Sequence, residues 1–473
     1  MNLRRLLALP LAVATLIAGL PAVAHAQPAA VRYAGTLPNG TTWIADVPAH
    51  WNRTILLYSH GYTPGPDNPP RNSPNQPTAD ALLARGYALA GSSYSRPGWA
   101  LATAADDQLA TLAAVRAIVG PPRHVIAVGT SMGGLVTGQL AQRAGRHLDG
   151  ALATCGIMGG GIDLHNSQLD GLHALHQLLL PGRQVTLVRF AGLPEAVATV
   201  QALTDAVQQA QATASGRARI ALASALLQMP GWYAGLPKPA GRDYAAQEVG
   251  QYRGLLDGLF RFETGRYDVE QSAGGNISWN AGVNYRRLLA RSDRADQVRA
   301  LYRRAGLDLR ADLRLLTATA DITPDPAAVA WATRTSTLDG SLRMPVLTIH
   351  TTNDPLVAVE HEQEYAEDVR RAGDGGLLRQ AYTDHPGHCT FTTAELVAGV
   401  ETVRTRIETG RWDGLARARR LQALATSLDL GPAAFVRFRP GEFLSDRSLP
   451  RHPSVVPASR GAVAGVPDEG GPQ

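Results

Sequence analysis

The 473 residues are 45% hydrophobic and 18% charged, an apolar share ample for a large core, which excludes an intrinsically disordered chain. Two cysteines in that length exclude a disulfide scaffold, and no Cys/His cluster has the spacing of a structural zinc site. The formal charge of +5 includes Arg4 and Arg5 at the extreme N-terminus and leaves too little excess to argue for nucleic acid without a local basic stripe.

Residues 1–26 read as an export signal. Arg4 and Arg5 precede an apolar run from 6 to 20, and Ala24-His25-Ala26 supplies a small-x-small cleavage site. The run contains Pro10 and falls short of the roughly 20 apolar residues that span a bilayer. Cleavage would leave a secreted or periplasmic chain with no membrane span.

From residue 27 onward short apolar runs alternate with helical patterns. Residues 55–59 form an apolar strand ending at His60-Gly61, and 87–91 form another. Residues 104–118 carry apolar positions at helical spacing up to Pro121-Pro122. A buried-type strand at 124–128 leads into Gly129-Thr130-Ser131-Met132-Gly133-Gly134 and a helix to about 144, and 148–154 is one more strand. Such alternation predicts an α/β fold, a mostly parallel sheet with helices on both faces.

The rhythm breaks between 156 and 342, where 193–228, 243–262 and 283–305 read as helices separated by Pro/Gly breaks such as Pro230-Gly231. It resumes with a strand at 345–350, a helix at 358–372, a strand at 377–382 and a helix at 390–410. The expected organisation is therefore a core in two parts, 27–155 and 343–412, around a helical insert at 156–342. A C-terminal extension at 413–473 follows, with a frayed tail beyond about 450.

Gly129-Thr130-Ser131-Met132-Gly133 matches G-x-S-x-G, in which small residues two positions either side let a serine sit on a very tight strand-to-helix turn. The five residues alone are a weak signal. Strand before and amphipathic helix after are the context the pattern requires. On these features the chain resembles the α/β-hydrolase superfamily of serine hydrolases, over 27–155 and 343–412, with the insert corresponding to the cap many members carry. The resemblance implies Ser131 as nucleophile, followed in chain order by an acid and a histidine.

Asp354, in Asn353-Asp354-Pro355 just past the strand at 345–350, stands where that acid falls; turn residue is its alternative reading. Asp321 and Asp384 are the other acids considered. His388, in His385-Pro386-Gly387-His388-Cys389, stands where the general base falls, with His385 as the confounder. His60-Gly61-Tyr62 is similar to the family's oxyanion loop, which implies backbone N–H donors at Met132 and Tyr62.

The expected activity is hydrolysis of carboxylic esters through an acyl-enzyme, on a small-molecule or polymeric substrate. An exported aminopeptidase with the same triad is the alternative, and it would need a cap carboxylate such as Glu248, Glu263 or Glu270 to hold an ammonium. A polyester depolymerase, a lactonase and an acyltransferase stay open, as does a catalytically dead binding module. A tannase or feruloyl-esterase reading, prompted by Cys389 after His388, wants a cysteine where Thr130 stands. No P-loop, dinucleotide fingerprint or metal-ligand set appears, so no cofactor is expected, and no feature sets the oligomeric state. The aromatic residues of the insert, among them Trp232, Phe260, Phe262 and Tyr285, read mostly as core, and the loop at 274–280 as a gate for the site. In an oxidising compartment Cys155 and Cys389 are expected to pair, since the proposed fold puts both at the carboxyl edge of the sheet near Ser131; two buried free thiols are the alternative.

Overall fold

The computed structural model describes residues 30–447, so the leader expected at 1–26 and the tail expected beyond 450 lie outside the described residues. The order begins β1 (Val31–Thr36), β2 (Thr42–Val47), β3 (Thr54–Ser59), α1 (Gln76–Ala84), β4 (Ala88–Ser92) and α2 (Ala104–Val119). It continues with β5 (His124–Thr130), α3 (Met132–Arg143) and β6 (Gly150–Thr154). A run of helices follows: α4 (Gly161–Leu179), α5 (Leu193–Ala210), α6 (Ala214–Leu226), α7 (Tyr244–Ala273), α8 (Tyr285–Arg291), α9 (Ala295–Ala305), α10 (Leu309–Ala318) and α11 (Pro326–Thr335). The alternation then resumes with β7 (Val346–Asn353), α12 (His361–Arg371), β8 (Leu378–Pro386) and α13 (Thr393–Thr409), before α14 (Ala418–Ser427) and β9 (Phe435–Val436).

The nine strands of the described residues join one sheet in the order β1-β2-β4-β3-β5-β6-β7-β8-β9. Neighbours from β4 through β8 pair parallel, while β1–β2, β2–β4 and β8–β9 pair antiparallel. The central strands are apolar throughout because both faces are covered. Ile55 and Leu57 of β3 face one layer with Leu112 of α2 and Leu135 and Leu140 of α3. Leu56 faces the other, with Ile126, Leu152, Leu347 and Val397 of α13. This is the period-2 alternation of a strand expressed in two cores.

The helices between β6 and β7 enclose a third core, around Leu172, Leu203, Leu222, Leu259 and Tyr302. The single helix read at 193–228 is two, because the Thr213 hydroxyl accepts from Gly216 N and starts α6 afresh. The helix read at 243–262 runs on to Ala273, where Gly274 ends it in the left-handed conformation. Past α13, β9 pairs with Tyr382 and Thr383 at the sheet edge. Phe443 and Leu444 are buried, and Arg447 forms an ion pair with buried Asp170 of α4. Among the described residues no helix is long and apolar enough to cross a membrane.

Candidate active site

The sheet's carboxyl edge is built first by the β5–α3 turn. Ser131 sits at φ 59°, ψ −122°, between the last residue of β5 and the first of α3. Backbone passes so closely here that a Cβ on Gly129 would lie 2.0 Å from the Gly133 carbonyl oxygen, and one on Gly133 2.0 Å from that of Ser59. Only glycine fits either place, which is the physical content of the sequence pattern. The Ser131 amide donates to Thr154 O at 3.0 Å, so the turn is also tied to β6.

Two strands further along the sheet, pairing between β7 and β8 shifts register between Thr351 and Asn353, and the chain turns at Asp354. The Asp354 side chain is buried. One carboxylate oxygen accepts from Leu356 N at 2.9 Å and Val357 N at 3.0 Å; the other accepts from His388 Nδ1 at 2.7 Å. Burial alone would push this carboxyl up, but His388 and His350 beside it outweigh burial and hold it well below the usual carboxylate range.

The loop after β8 carries His388. Gly387 at φ 108° makes the bend, its amide bonded to Asn353 O at 2.9 Å and its carbonyl to the Thr351 hydroxyl at 2.9 Å. His388 Nε2 lies 2.8 Å from Ser131 Oγ. Because Nδ1 faces a carboxylate, it carries the proton, and Nε2 is left to accept the serine hydroxyl. The arrangement can therefore take a proton from Ser131 and hold it.

The other candidates lie elsewhere. His385 belongs to β8, and its Nε2 lies 2.9 Å from Glu395 of α13, which also caps that helix. Asp384 pairs with Lys238 and accepts from the Thr352 hydroxyl. Asp321 is exposed between α10 and α11. Cys155, one residue past β6, is disulfide-bonded to Cys389, with Cα atoms 5.4 Å apart. Thr130 and Thr154 are register partners, so Cys155 arrives beside the Ser131 turn from the neighbouring strand rather than from the position before Ser131.

His60-Gly61-Tyr62 leaves β3 alongside Ser131: a Cβ on Gly61 would lie 3.2 Å from Ser131 Cβ. The loop is braced from behind, where the His60 ring stacks on Tyr94 at 4.1 Å and the Tyr94 hydroxyl donates to His60 O at 2.9 Å. Met132 N–H opens α3, where helix amides have no intrahelical acceptor. Tyr62 reaches Asp268 of α7 through its hydroxyl, and Asp268 also accepts from Trp99 N at 2.7 Å. One carboxylate thus joins this loop to the overlying helices.

A cavity of about 890 Å³ lies over Ser131 and His388, walled by Tyr62, Trp99, Leu193, Phe260 and Phe262 among others. His165 is also in this wall, edge-on to Trp99; burial and then Arg266 push it down to about 3, so it is neutral. Phe260, Phe262 and Tyr267 of the insert reach the cavity, whereas Tyr285 is buried against Asp170. Glu248, Glu263 and Glu270 are buried outside its lining, and its acidic members are Asp257 and Asp268. The loop at 274–280 does not line it either. Asn276, Ser278 and Asn280 are fully buried, and Trp279 N donates to Asn166, so this loop is a packed brace and not a gate.

The strand order, the serine turn after β5, the acid after β7 and the histidine after β8 together decide the fold. The chain has the α/β-hydrolase fold. No protein-family model matches it. An o-phthalyl amidase of Xanthobacter agilis is 27% identical over 416 residues, covering 82% of this chain and 90% of that protein. Among solved structures, an esterase from Aspergillus oryzae covers 80% of this chain and 80% of its own, at 13% identity and a TM-score of 0.42. Feruloyl esterase B of the same fungus covers 80% of this chain and 82% of its own, at 12% identity and a TM-score of 0.41. A tannin acyl hydrolase from Aspergillus niger covers 80% and 78%, at 14% identity and a TM-score of 0.38.

Proposed function

We propose that this α/β-hydrolase is an exported serine hydrolase that cleaves carboxylic esters and amides through an acyl-enzyme. The observation that carries the reading is the unbroken line Ser131 Oγ to His388 at 2.8 Å and His388 to Asp354 at 2.7 Å, opening into the cavity. Ser131 Oγ attacks the acyl carbon as His388 Nε2 takes its proton, and buried Asp354 stabilises the imidazolium. The developing oxyanion accepts from the N–H groups of Met132 and Tyr62. His388 then protonates the leaving alcohol or amine, and water repeats the sequence to release the acid.

Amides stand beside esters here because the Xanthobacter agilis relative is an amidase. The o-phthalyl group in that protein's name is aromatic, and Phe260, Phe262, Tyr267 and Phe391 in the cavity lining suit an aromatic acyl group. Arg71 and Arg261 also line the cavity, and neither forms an ion pair among the described residues, so an anionic substituent on the substrate would find a counter-ion there. The helical block between β6 and β7 acts as a cap over this site. Export accords with the leader at 1–26 and with a chain whose two cysteines are paired. The aminopeptidase reading is not favoured, since its candidate carboxylates lie outside the cavity lining.

The test compares turnover of aryl esters, aroyl anilides and aminoacyl anilides, together with labelling by a fluorophosphonate. The expectation is hydrolysis of the first two and a label on Ser131. Activity confined to aminoacyl anilides, or no label, would overturn the proposal.

A further inference from the structure

Behind Asp354, on the side away from the cavity, lies a second histidine that the triad does not use. His350 of β7 is fully buried. Its Nε2 lies 3.0 Å from Val357 O and 3.4 Å from Asp354 Oδ2, the same oxygen that His388 engages. Its Nδ1 lies 3.2 Å from Glu362 Oε1 of α12, also fully buried. The other Glu362 oxygen accepts from Gln380 Nε2 at 2.6 Å and from the Thr348 hydroxyl.

A proton count follows from these partners. A carbonyl and a carboxylate oxygen can only accept, so Nε2 carries a hydrogen. Nδ1 meets a carboxylate already fixed by two donors, so it carries one too. The ring is then an imidazolium between two carboxylates, as a buried cation requires. Burial by itself would lower its proton affinity, but Asp354 and Glu362 reverse that and raise it to about 10. Tyr365 of α12 and Tyr382 of β8, which also feel Glu362, are kept neutral by burial and by that carboxylate.

We propose that His350, clamped by Glu362, is a positioning residue of the hydrolytic site, holding the Asp354 carboxylate from behind and setting the basicity of His388 through it. The inference rests on the proposed triad. With Oδ1 fixed by two backbone amides and Oδ2 shared between two imidazoles, Asp354 has one orientation available. The positive charge behind it also weakens its pull on the His388 proton.

The test is the pH profile of kcat/KM on a neutral aryl ester, for wild type, His350→Gln and, as a control, His385→Gln. Glutamine keeps a donor but removes the charge. Losing a cation favours protonated His388, so the acid limb should move up by about one pH unit. Near pH 6 activity should fall by roughly tenfold, with most of it recovered on the alkaline plateau and KM little changed. Asp257, Asp268, Tyr62, Arg71 and Arg261 face the cavity in all three proteins, so they cancel in the comparison. His385→Gln should keep the wild-type limb. An unmoved limb in His350→Gln, or a loss equal at every pH, would overturn the inference. Should that variant not fold, nitrogen-15 histidine NMR of the wild-type chain decides: one histidine should hold both ring protons at pH 8, and a neutral ring at each histidine there refutes it. Activity surviving in Ser131→Ala would instead bring down the triad itself, a separate outcome.

Discussion

The Cys389 sulfur lies 3.3 Å from His388 Nε2, the same nitrogen that faces Ser131. The disulfide to Cys155 therefore touches the imidazole edge that faces Ser131, and it ties the histidine loop to the end of β6 across a sequence separation of 234 residues. Its reduction should act on the site before it acts on the sheet, whose β6–β7–β8 pairings do not depend on it.

Mild reduction, or a Cys155→Ser/Cys389→Ser double variant, is expected to lower kcat several-fold at temperatures where far-UV circular dichroism is unchanged. A lower melting temperature should accompany it, since closing so long a loop contributes up to about 5 kcal/mol in the chain-entropy picture. Activity that survives full reduction would show that backbone bonds such as Gly387 N to Asn353 O hold the loop unaided.

Ser131→Ala should reduce turnover by about a million-fold while leaving the melting temperature near wild type, because one cavity-lining oxygen is lost from an otherwise unchanged turn. Asp354→Asn should cost about ten-thousand-fold, as the amide favours the wrong His388 tautomer. Steady-state kinetics with a chromogenic aryl ester measures both. An active Asp354→Asn would leave the acid unassigned, since Asp384 is occupied by Lys238.

The core was legible where composition and position agree. The apolar runs at 55–59 and 124–128 lie inside β3 and β5, and Ser131 could be placed because a glycine on each side is a steric demand. His388 and Asp354 were reachable through chain order alone. The helices over the site were harder. α4 is buried on nearly every side, yet it carries Asp163, His165, Asn166, Gln168, Asp170 and His173, so it has no apolar stripe to recognise. Some of its polar groups find partners in distant segments, as Asp170 does in Arg447. β1 and β2 are as long as β3 but mix polar and charged residues into their runs, and the two-residue β9 is too short to read. His350 was invisible for another reason: inside an apolar strand one histidine looks like any core residue until Glu362, twelve positions on, is seen against it.

Glu263 of α7 is fully buried, and neither of its carboxylate oxygens has a hydrogen-bond partner among the described residues. Burial, partly offset by Arg266, pushes it up to about 8 from 4.5. A folded-state value above the unfolded one means the folded chain keeps a proton that the unfolded chain releases. The stabilisation is full below pH 4.5 and is lost as pH rises through about 8. Glu263→Gln should therefore raise the melting temperature at pH 8 and change it little at pH 4.5. Equal shifts at both pH values in calorimetry would mean that ionisation of Glu263 is not what limits stability.

The cavity's cations supply the last prediction. Arg71 lines it near Tyr58 and His60, and the acids that share the lining are engaged elsewhere: Asp257 accepts from the Tyr233 hydroxyl, and Asp268 holds Trp99 N and Tyr62. An arginine on the cavity lining with no carboxylate partner among the described residues is suited to a bidentate anion. Arg71→Met should lower kcat/KM by roughly ten- to a hundredfold for an aryl ester or anilide whose acyl group carries a carboxylate. For the uncharged analogue the change should stay within about threefold, and Arg71→Lys should retain part of the preference without the bidentate geometry. The measurement is the ratio of the two kcat/KM values in each variant. If Arg71→Met leaves that ratio at its wild-type value while Arg261→Met collapses it, the counter-ion belongs to α7, and specificity is set by the cap rather than by the loop after β3.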